Sequence, residues 1–124
     1  MNLLTILASA LVMAISGDPS ITIKGGGYSG TCTNQTYDIT ARLQLELHQE
    51  EGEVFGNLEI VGKLYGGGPI TGTLEGDQLT FTTRASYCEI TWFGRIQGKS
   101  IKGTYVVRLV DGSTQQGIWS VSRK

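Results

Sequence analysis

Few residues in this sequence have the types and spacing that chemistry requires. His48 is the only histidine, and its place beside Leu47 in an alternating run predicts that its side chain faces outward. Gln44, Glu46 and Glu50 share that face and could hold a metal weakly, but a solvated strand face is the simpler interpretation. No G-x-S-x-G motif occurs. The sequence therefore predicts a protein that is not an enzyme and has no resident metal or cofactor.

Three consecutive glycines at 66–68 raise the question of a phosphate-binding loop. A dinucleotide fingerprint, G-x-G-x-x-G between a strand and a helix, needs a third glycine, and Thr71 stands in its place. A P-loop that begins at Gly67 would have Gly72, but Thr73 and Leu74 stand where Lys and Ser or Thr are required. We interpret these glycines as turn residues rather than as a phosphate cradle.

The two cysteines, Cys32 and Cys88, are too few for a structural zinc site and too far apart for a C-x-x-C redox motif. In a meander of alternating strands, Cys32 ends the first strand and Cys88 begins the sixth, so both lie at the same end of the sheet. We predict a disulfide across that end, worth about 4 kcal/mol in the chain-entropy model. A redox-active pair is the alternative, although nothing nearby in the sequence marks an activated thiolate.

The elements that must position these residues are strands, because apolar and polar residues alternate from Tyr28 onward. Turn signals such as "QEEG", "EGDQ" and "VDGST" separate the alternating runs. The pattern predicts eight strands, at residues 27–33, 38–49, 53–64, 69–75, 78–85, 87–97, 100–110 and 114–122. Short links and one apolar face favour an all-β fold, an eight-stranded antiparallel up-and-down β-barrel, because closure removes exposed edges.

The first 17 residues differ from the rest, since they carry no charged side chain and include an apolar run at 3–15. A helix needs about 20 apolar residues to span a bilayer, so the run is short for an anchor and suits a signal-peptide core. We predict a signal peptide or retained hydrophobic segment at 1–17, a linker at 18–26 and the barrel at 27–124. The expected location is extracytoplasmic: secreted, periplasmic or membrane-tethered, with membrane contact through residues 3–15 if they are retained.

The predicted inner face is almost wholly apolar. Eight strands enclose room for side chains or for one small ligand, and both outcomes stay open. The large aromatic residues that would fill the core or line a ligand are Phe81, Trp92, Tyr105 and Trp119. Outward positions that are apolar where polar residues are expected predict a partner surface, and these are Phe55, Val61, Phe93 and Val106. Asn34, in "NQT", is a glycosylation sequon if the host is eukaryotic.

Short motifs resemble the calycin-type barrels, which include the avidins and lipocalins. "GYSGT" at 27–31 resembles their glycine–aromatic first strand, with Tyr28 where Trp is usual. "TWFGR" at 91–95 resembles the avidin-type T-x-W-x-G strand, and Trp119 with Arg123 resembles the aromatic and basic ending of such barrels. The resemblance covers about residues 27–123 and implies the architecture. Avidins bind biotin through polar groups and several Trp residues, whereas this chain has two Trp, so biotin binding does not carry over.

The charge pattern bears on the class of partner. The formal net charge is −1 and basic residues are scattered along the chain, which argues against the clustered basic surface that nucleic acids require. Our first expectation is a non-catalytic exported accessory or structural subunit that docks, through protein partners, into a larger membrane-associated or extracellular assembly. The alternatives are a soluble extracytoplasmic binding protein for a small apolar ligand and a barrel-type inhibitor of a secreted enzyme.

Overall fold

The computed structural model describes residues 25–123, which form eight β-strands. Each strand pairs antiparallel with its neighbour in the chain, and β1 pairs with β8, so the sheet closes into a barrel. The strands are β1 (Gly26–Asn34), β2 (Ile39–Glu50), β3 (Glu53–Val61), β4 (Gly68–Glu75), β5 (Gln78–Ala85), β6 (Cys88–Gln97), β7 (Ser100–Leu109) and β8 (Thr114–Arg123). The predicted eight-stranded meander barrel is confirmed, and its architecture is compatible with that of calycin-type barrels. The predicted N-terminal segment at 1–17 lies outside the described residues.

Strand alternation builds the core as the sequence predicts. Leu43, Leu45 and Leu47 of β2 are buried, and the polar residues between them are exposed. The same alternation on the other strands gives one continuous apolar core that runs through the barrel. Since one face of every strand packs inward, a register slip by one residue would turn the whole apolar face of that strand to solvent.

One strand ends earlier than the pattern predicts. β3 stops at Val61 rather than at residue 64. Gly62 follows with a φ of 134°, a backbone conformation that favours glycine, and the chain leaves the ladder there. Leu64, which the pattern assigned to the strand, instead packs from the loop at 62–67 against the core. The last residues of β3, 59–61, therefore pair with β2 and have no partner on β4.

The two ends of the barrel differ in their connections. At one end, which we call the closed end, the turns are short and polar, and β1 begins and β8 ends there. These turns lie at 51–52, 76–77 and 98–99. At the other end, which we call the mouth, the connections lie at 35–38, 62–67, 86–87 and 110–113. No helix among residues 25–123 has the length and apolar character to cross a membrane.

Candidate functional site

A cavity of about 220 Å³ opens at the mouth of the barrel. Its walls come from β1, β2, β3, β6, β7 and β8, and its rim comes from the mouth loops. Apolar side chains form most of its wall, and these include Ile60, Leu64, Ile90, Val107 and Leu109. This arrangement, an apolar concavity with a few polar groups, is the usual form of a small-molecule site.

Trp92 and Tyr105 form the aromatic floor of the cavity. Their ring centroids lie 4.7 Å apart with the planes tilted by 35°. The indole Nε1–H of Trp92 donates a hydrogen bond to Thr83 Oγ1 at 3.1 Å, which satisfies the one polar atom of this buried side chain. The ring of Tyr105 lies over Gly117, where an added Cβ would come within 2.2 Å of the ring. Glycine at this position therefore makes the space that Tyr105 occupies.

Below this floor the barrel is filled. Phe81 stacks on Trp92 at 5.8 Å, and Trp119 meets both rings edge to face at 5.7 and 5.8 Å. The Trp119 Nε1–H lies 3.0 Å from the carbonyl oxygen of Phe93 and 3.1 Å from that of Thr104, and donates to both. Of the four aromatic residues predicted to fill the core or line a ligand, Trp92 and Tyr105 line the cavity. Phe81 and Trp119 do not line the cavity and instead fill the barrel beneath it.

Asn34 shapes the wall beside the first mouth loop. Its side chain is only 3 % exposed, and its Nδ2 donates to Gln115 Oε1 at 2.7 Å. Its Oδ1 accepts from the backbone N–H groups of Thr36 and Tyr37, at 2.9 and 3.2 Å, and so fixes the loop. The predicted sequon thus falls on a buried amide that holds two strands and a loop together. A glycan on Nδ2 would need space that this buried position does not have.

The rim of the mouth carries a large exposed apolar side chain in each of its four loops. Tyr37 is 62 % exposed, Tyr65 74 % and Val110 80 %, and Tyr87 is nearly half exposed. The three tyrosines also line the cavity. The closed end has no counterpart in its turns, whose residues are glycine or charged. The exposed rim tyrosines and the apolar interior of the cavity therefore form one continuous site.

The predicted disulfide between Cys32 and Cys88 is absent, and both residues are buried free thiols. The prediction that both lie at the same end is correct, since both line the cavity. They stand on different walls, because β7 and β8 separate β1 from β6. Around the wall, three strand spacings of about 4.8 Å lie between the two cysteines, and no bond joins them across the lumen. The expectation of export therefore rests on residues 1–17 alone.

Burial changes the acidity of the groups around the floor. It raises the pKa of the Cys32 thiol to about 11, partly offset by a hydrogen bond from the backbone of Ala41. Burial also raises the pKa of Cys88, and burial together with the nearby Cys32 raises that of Tyr105. All three groups are neutral at physiological pH, so neither cysteine has the lowered pKa of a reactive thiol. Among residues 25–123, Lys63 is the one charged residue that lines the cavity.

The outward apolar residues fall on two separate parts of the wall. Phe93 and Ile118 flank Thr104 in one row across β6, β7 and β8, and Val106 is the next outward residue on β7. We call Phe93, Val106 and Ile118 the outer patch. Phe55 and Val61 lie on β3, away from it, and the Phe55 ring stacks on His48 at 5.5 Å. The structure therefore divides the predicted partner surface.

Sequence reasoning missed most of the cavity lining, including Tyr37, Tyr65, Tyr87 and Gln115. A signal for the tyrosines was present in the chain, since alternate connections of a meander lie at the same end. Applied to the connections after strands 1, 3 and 5, that rule brings the three tyrosines together. Ile118, the third member of the outer patch, occupies an outward position of β8 that alternation alone would assign.

The comparisons with known proteins give no match: no protein family, no curated protein and no solved structure is similar to this chain. Within residues 25–123, no group of three or more His, Cys, Asp or Glu side chains is placed to hold a metal ion.

Proposed function

We propose that this protein is a non-catalytic barrel that binds a small, mostly apolar ligand in the mouth cavity. The cavity between Trp92 and the rim tyrosines carries the proposal, because the rest of the interior is filled by side chains. A site of this kind on a closed antiparallel barrel resembles the ligand site of calycin-type barrels. We further propose an extracytoplasmic location, which follows from residues 1–17.

The two tryptophans allow a direct test with an internal control. Trp92 forms the floor of the cavity, and Trp119 lies below it and does not line it. In ¹H–¹⁵N spectra, titration with naphthalene, indole or octanoate should shift the Trp92 indole signal more than that of Trp119. If neither indole signal moves with any probe, the proposal is wrong.

A cavity-filling variant provides the matched control. Val107 is buried and lines the cavity wall, so Val107→Phe should occupy the space that a ligand needs. We expect the variant to keep the stability of the barrel within about 1.5 kcal/mol, because the larger side chain enters an open space. Binding of the probes should be lost. Unchanged binding in a folded Val107→Phe variant would place the ligand elsewhere.

We propose docking to a protein partner as a second candidate function, carried by the outer patch. Phe93 is 44 % exposed and Ile118 45 %, and the two lie in one row of the wall with Val106 beside them. Contiguous exposed apolar side chains of this kind are typical of interaction surfaces. An accessory subunit that offers this patch to an apolar face of a larger assembly would bury all three side chains.

Charge reversal on the outer patch tests this second function. Phe93→Glu with Ile118→Glu should leave the barrel folded and abolish recovery of the partner from the native source. Phe55→Glu is the control, since Phe55 is exposed to a similar extent but lies on β3. Equal recovery with the double variant and the control would overturn docking through this patch.

A further inference from the structure

The hydroxyl group of Tyr105 bears on which ligand the cavity can bind. The residue is only 3 % exposed and lines the cavity. Within residues 25–123 every fully buried side-chain nitrogen or oxygen has a hydrogen-bond partner. Among these described residues the Tyr105 hydroxyl has no hydrogen-bond partner, so it is not fully buried and reaches the cavity that Tyr105 lines. Trp92 in the floor and Trp119 below it differ, because both indole N–H groups are already hydrogen-bonded.

The hydroxyl is a hydrogen-bond donor at any physiological pH. Burial and the nearby Cys32 thiol raise the pKa of Tyr105 well above its ordinary value, so the phenol keeps its proton. A phenol that keeps its proton can donate one hydrogen bond along a direction that rotation about the C–O bond adjusts. A ligand that brings only apolar surface would bury this donor without a partner, which costs free energy.

The size of the cavity limits what can reach the hydroxyl. A dry cavity of about 150 Å³ lined by apolar side chains is known to bind benzene. The mouth cavity, at about 220 Å³, has room for a substituted ring or two fused rings. Its floor is the tilted pair of Trp92 and Tyr105 rings, and aromatic faces pack favourably against flat rings.

The charge of the lining side chains limits which ligands the cavity can accept. Lys63 is the one charged residue among the lining side chains, and both thiols are neutral. A cationic ligand would be repelled by Lys63 and would find no carboxylate in the lining. The cavity therefore suits a neutral molecule, or one with a negative group at the rim.

We propose that the ligand is a one- or two-ring planar compound with a hydrogen-bond acceptor, such as a ring nitrogen or a carbonyl oxygen, which accepts from the Tyr105 hydroxyl. This inference rests on the proposed function, since it names the ligand class of the same cavity. The ring lies in the cavity above Trp92, and the acceptor points toward the wall formed by β8 and β1, because the hydroxyl end of the Tyr105 ring lies over Gly117 and beside Cys32. The rim tyrosines then cover the outer edge of the ring.

Quinoline and naphthalene test the inference because they share a shape and differ by one ring nitrogen. Both are titrated at pH 8, where quinoline is neutral, into the full chain and into Tyr105→Phe. The variant removes the hydroxyl and keeps the ring that packs on Trp92 and Gly117. We expect Tyr105→Phe to weaken quinoline binding by about 2- to 12-fold, the range of one hydrogen bond. Naphthalene binding should stay the same or become tighter.

The outcomes separate this inference from the proposed function. If both compounds bind but the variant changes their affinities equally, the ligand acceptor does not accept a hydrogen bond from Tyr105. This inference is then wrong, and the proposed apolar binding in the cavity is retained. If neither compound binds the native chain, the inference and the naphthalene arm of the proposed function fail together. If Tyr105→Phe does not fold, the test uses the unmutated chain with a ¹³Cζ label on its tyrosines and follows the NMR signal of Tyr105. Quinoline should then shift the Tyr105 signal more than naphthalene does, and an equal shift would overturn the inference.

Discussion

The half of the barrel below Trp92 (the lower half) and the half between Trp92 and the mouth (the upper half) are built from the same alternating strands. The lower half is packed with side chains, whereas the upper half contains the cavity. Around Trp119, below the aromatic floor, aromatic rings meet edge to face and the indole N–H of Trp119 donates to two backbone carbonyl oxygens. Around Tyr105, toward the mouth, a phenol hydroxyl has no hydrogen-bond partner among residues 25–123 and a cavity adjoins it. The comparison teaches that the packed part of the interior and the open cavity are separated along the barrel axis, with Trp92 at the boundary, so the proposed binding site lies apart from the tightly packed core.

The largest expected effect is in the filled half. Trp119→Ala removes a buried ring, its contacts with Phe81 and Trp92, and two hydrogen bonds. We expect a loss of about 3–5 kcal/mol in the free energy of unfolding, measured by urea denaturation. A loss below about 1 kcal/mol would mean that the lower half does not supply most of the stability, which would contradict the division of the barrel at Trp92.

The second effect concerns the mouth thiols. The pKa of Cys32 rises from 9.0 to about 11, which reduces the thiolate fraction at pH 8 about 100-fold. Iodoacetamide should therefore label Cys32 at least about 100-fold more slowly in the folded chain than in urea, as followed by mass spectrometry. The folded state holds this proton more tightly, so the contribution of Cys32 to stability is present below pH 9 and is lost as the pH rises toward 11.

A count of thiols accompanies this measurement. Titration with a chromogenic disulfide in urea, without reductant, should find both cysteines free. A count of zero in protein from its native source would mean that the two walls of the mouth are cross-linked, and the cavity would then be narrower than the structure shows.

A smaller effect is expected at the boundary between the halves. In Gly117→Ala the added methyl group would meet the Tyr105 ring at 2.2 Å and the Thr33 carbonyl oxygen at 2.4 Å. We expect a destabilisation of about 1–3 kcal/mol, because ring and backbone must shift. Gly52→Ala is the control, since its added methyl group has ordinary contacts, the nearest at 3.6 Å. Equal melting temperatures for the two variants would contradict the tight packing of Tyr105.

The smallest change in stability is expected at the rim. Tyr65 is 74 % exposed, so Tyr65→Ala should alter the free energy of unfolding by no more than about 0.5 kcal/mol. Because Tyr65 also lines the cavity, naphthalene binding should weaken by about 2- to 12-fold, the value of one aromatic contact. A variant that loses stability but keeps naphthalene binding would reverse the roles of the two halves.

The sequence predicts the fold closely because alternation with period two decides which face of a strand is buried. Leu43, Leu45 and Leu47 are inside for that reason, and Phe55 and Phe93 are outside. The end of β3 was mispredicted, because Leu64 continues the alternation while Gly62 takes the chain out of the ladder. Local conformation overrides the pattern at that point.

The candidate site could be predicted only in part. Trp92, Tyr105 and Trp119 share one inward face, and alternation cannot say which of them lie next to open space. Their heights along the barrel depend on the tilt and stagger of the strands, which a single strand does not encode. Cys32 and Cys88 are a different case, since the predicted order of strands in a closed barrel already puts strands 7 and 8 between strand 1 and strand 6, and the predicted disulfide did not take that separation into account.

The pairing of β1 with β8 carries a consequence for how the chain folds. Each of the other strand pairs joins neighbours in the sequence and can form as a local hairpin. This seam instead joins the first described strand to the last, so its formation must close a loop of almost the whole domain. Until it forms, both edge strands are open to other chains. Aggregation during refolding should therefore depend on how fast this seam closes, more than on any hairpin.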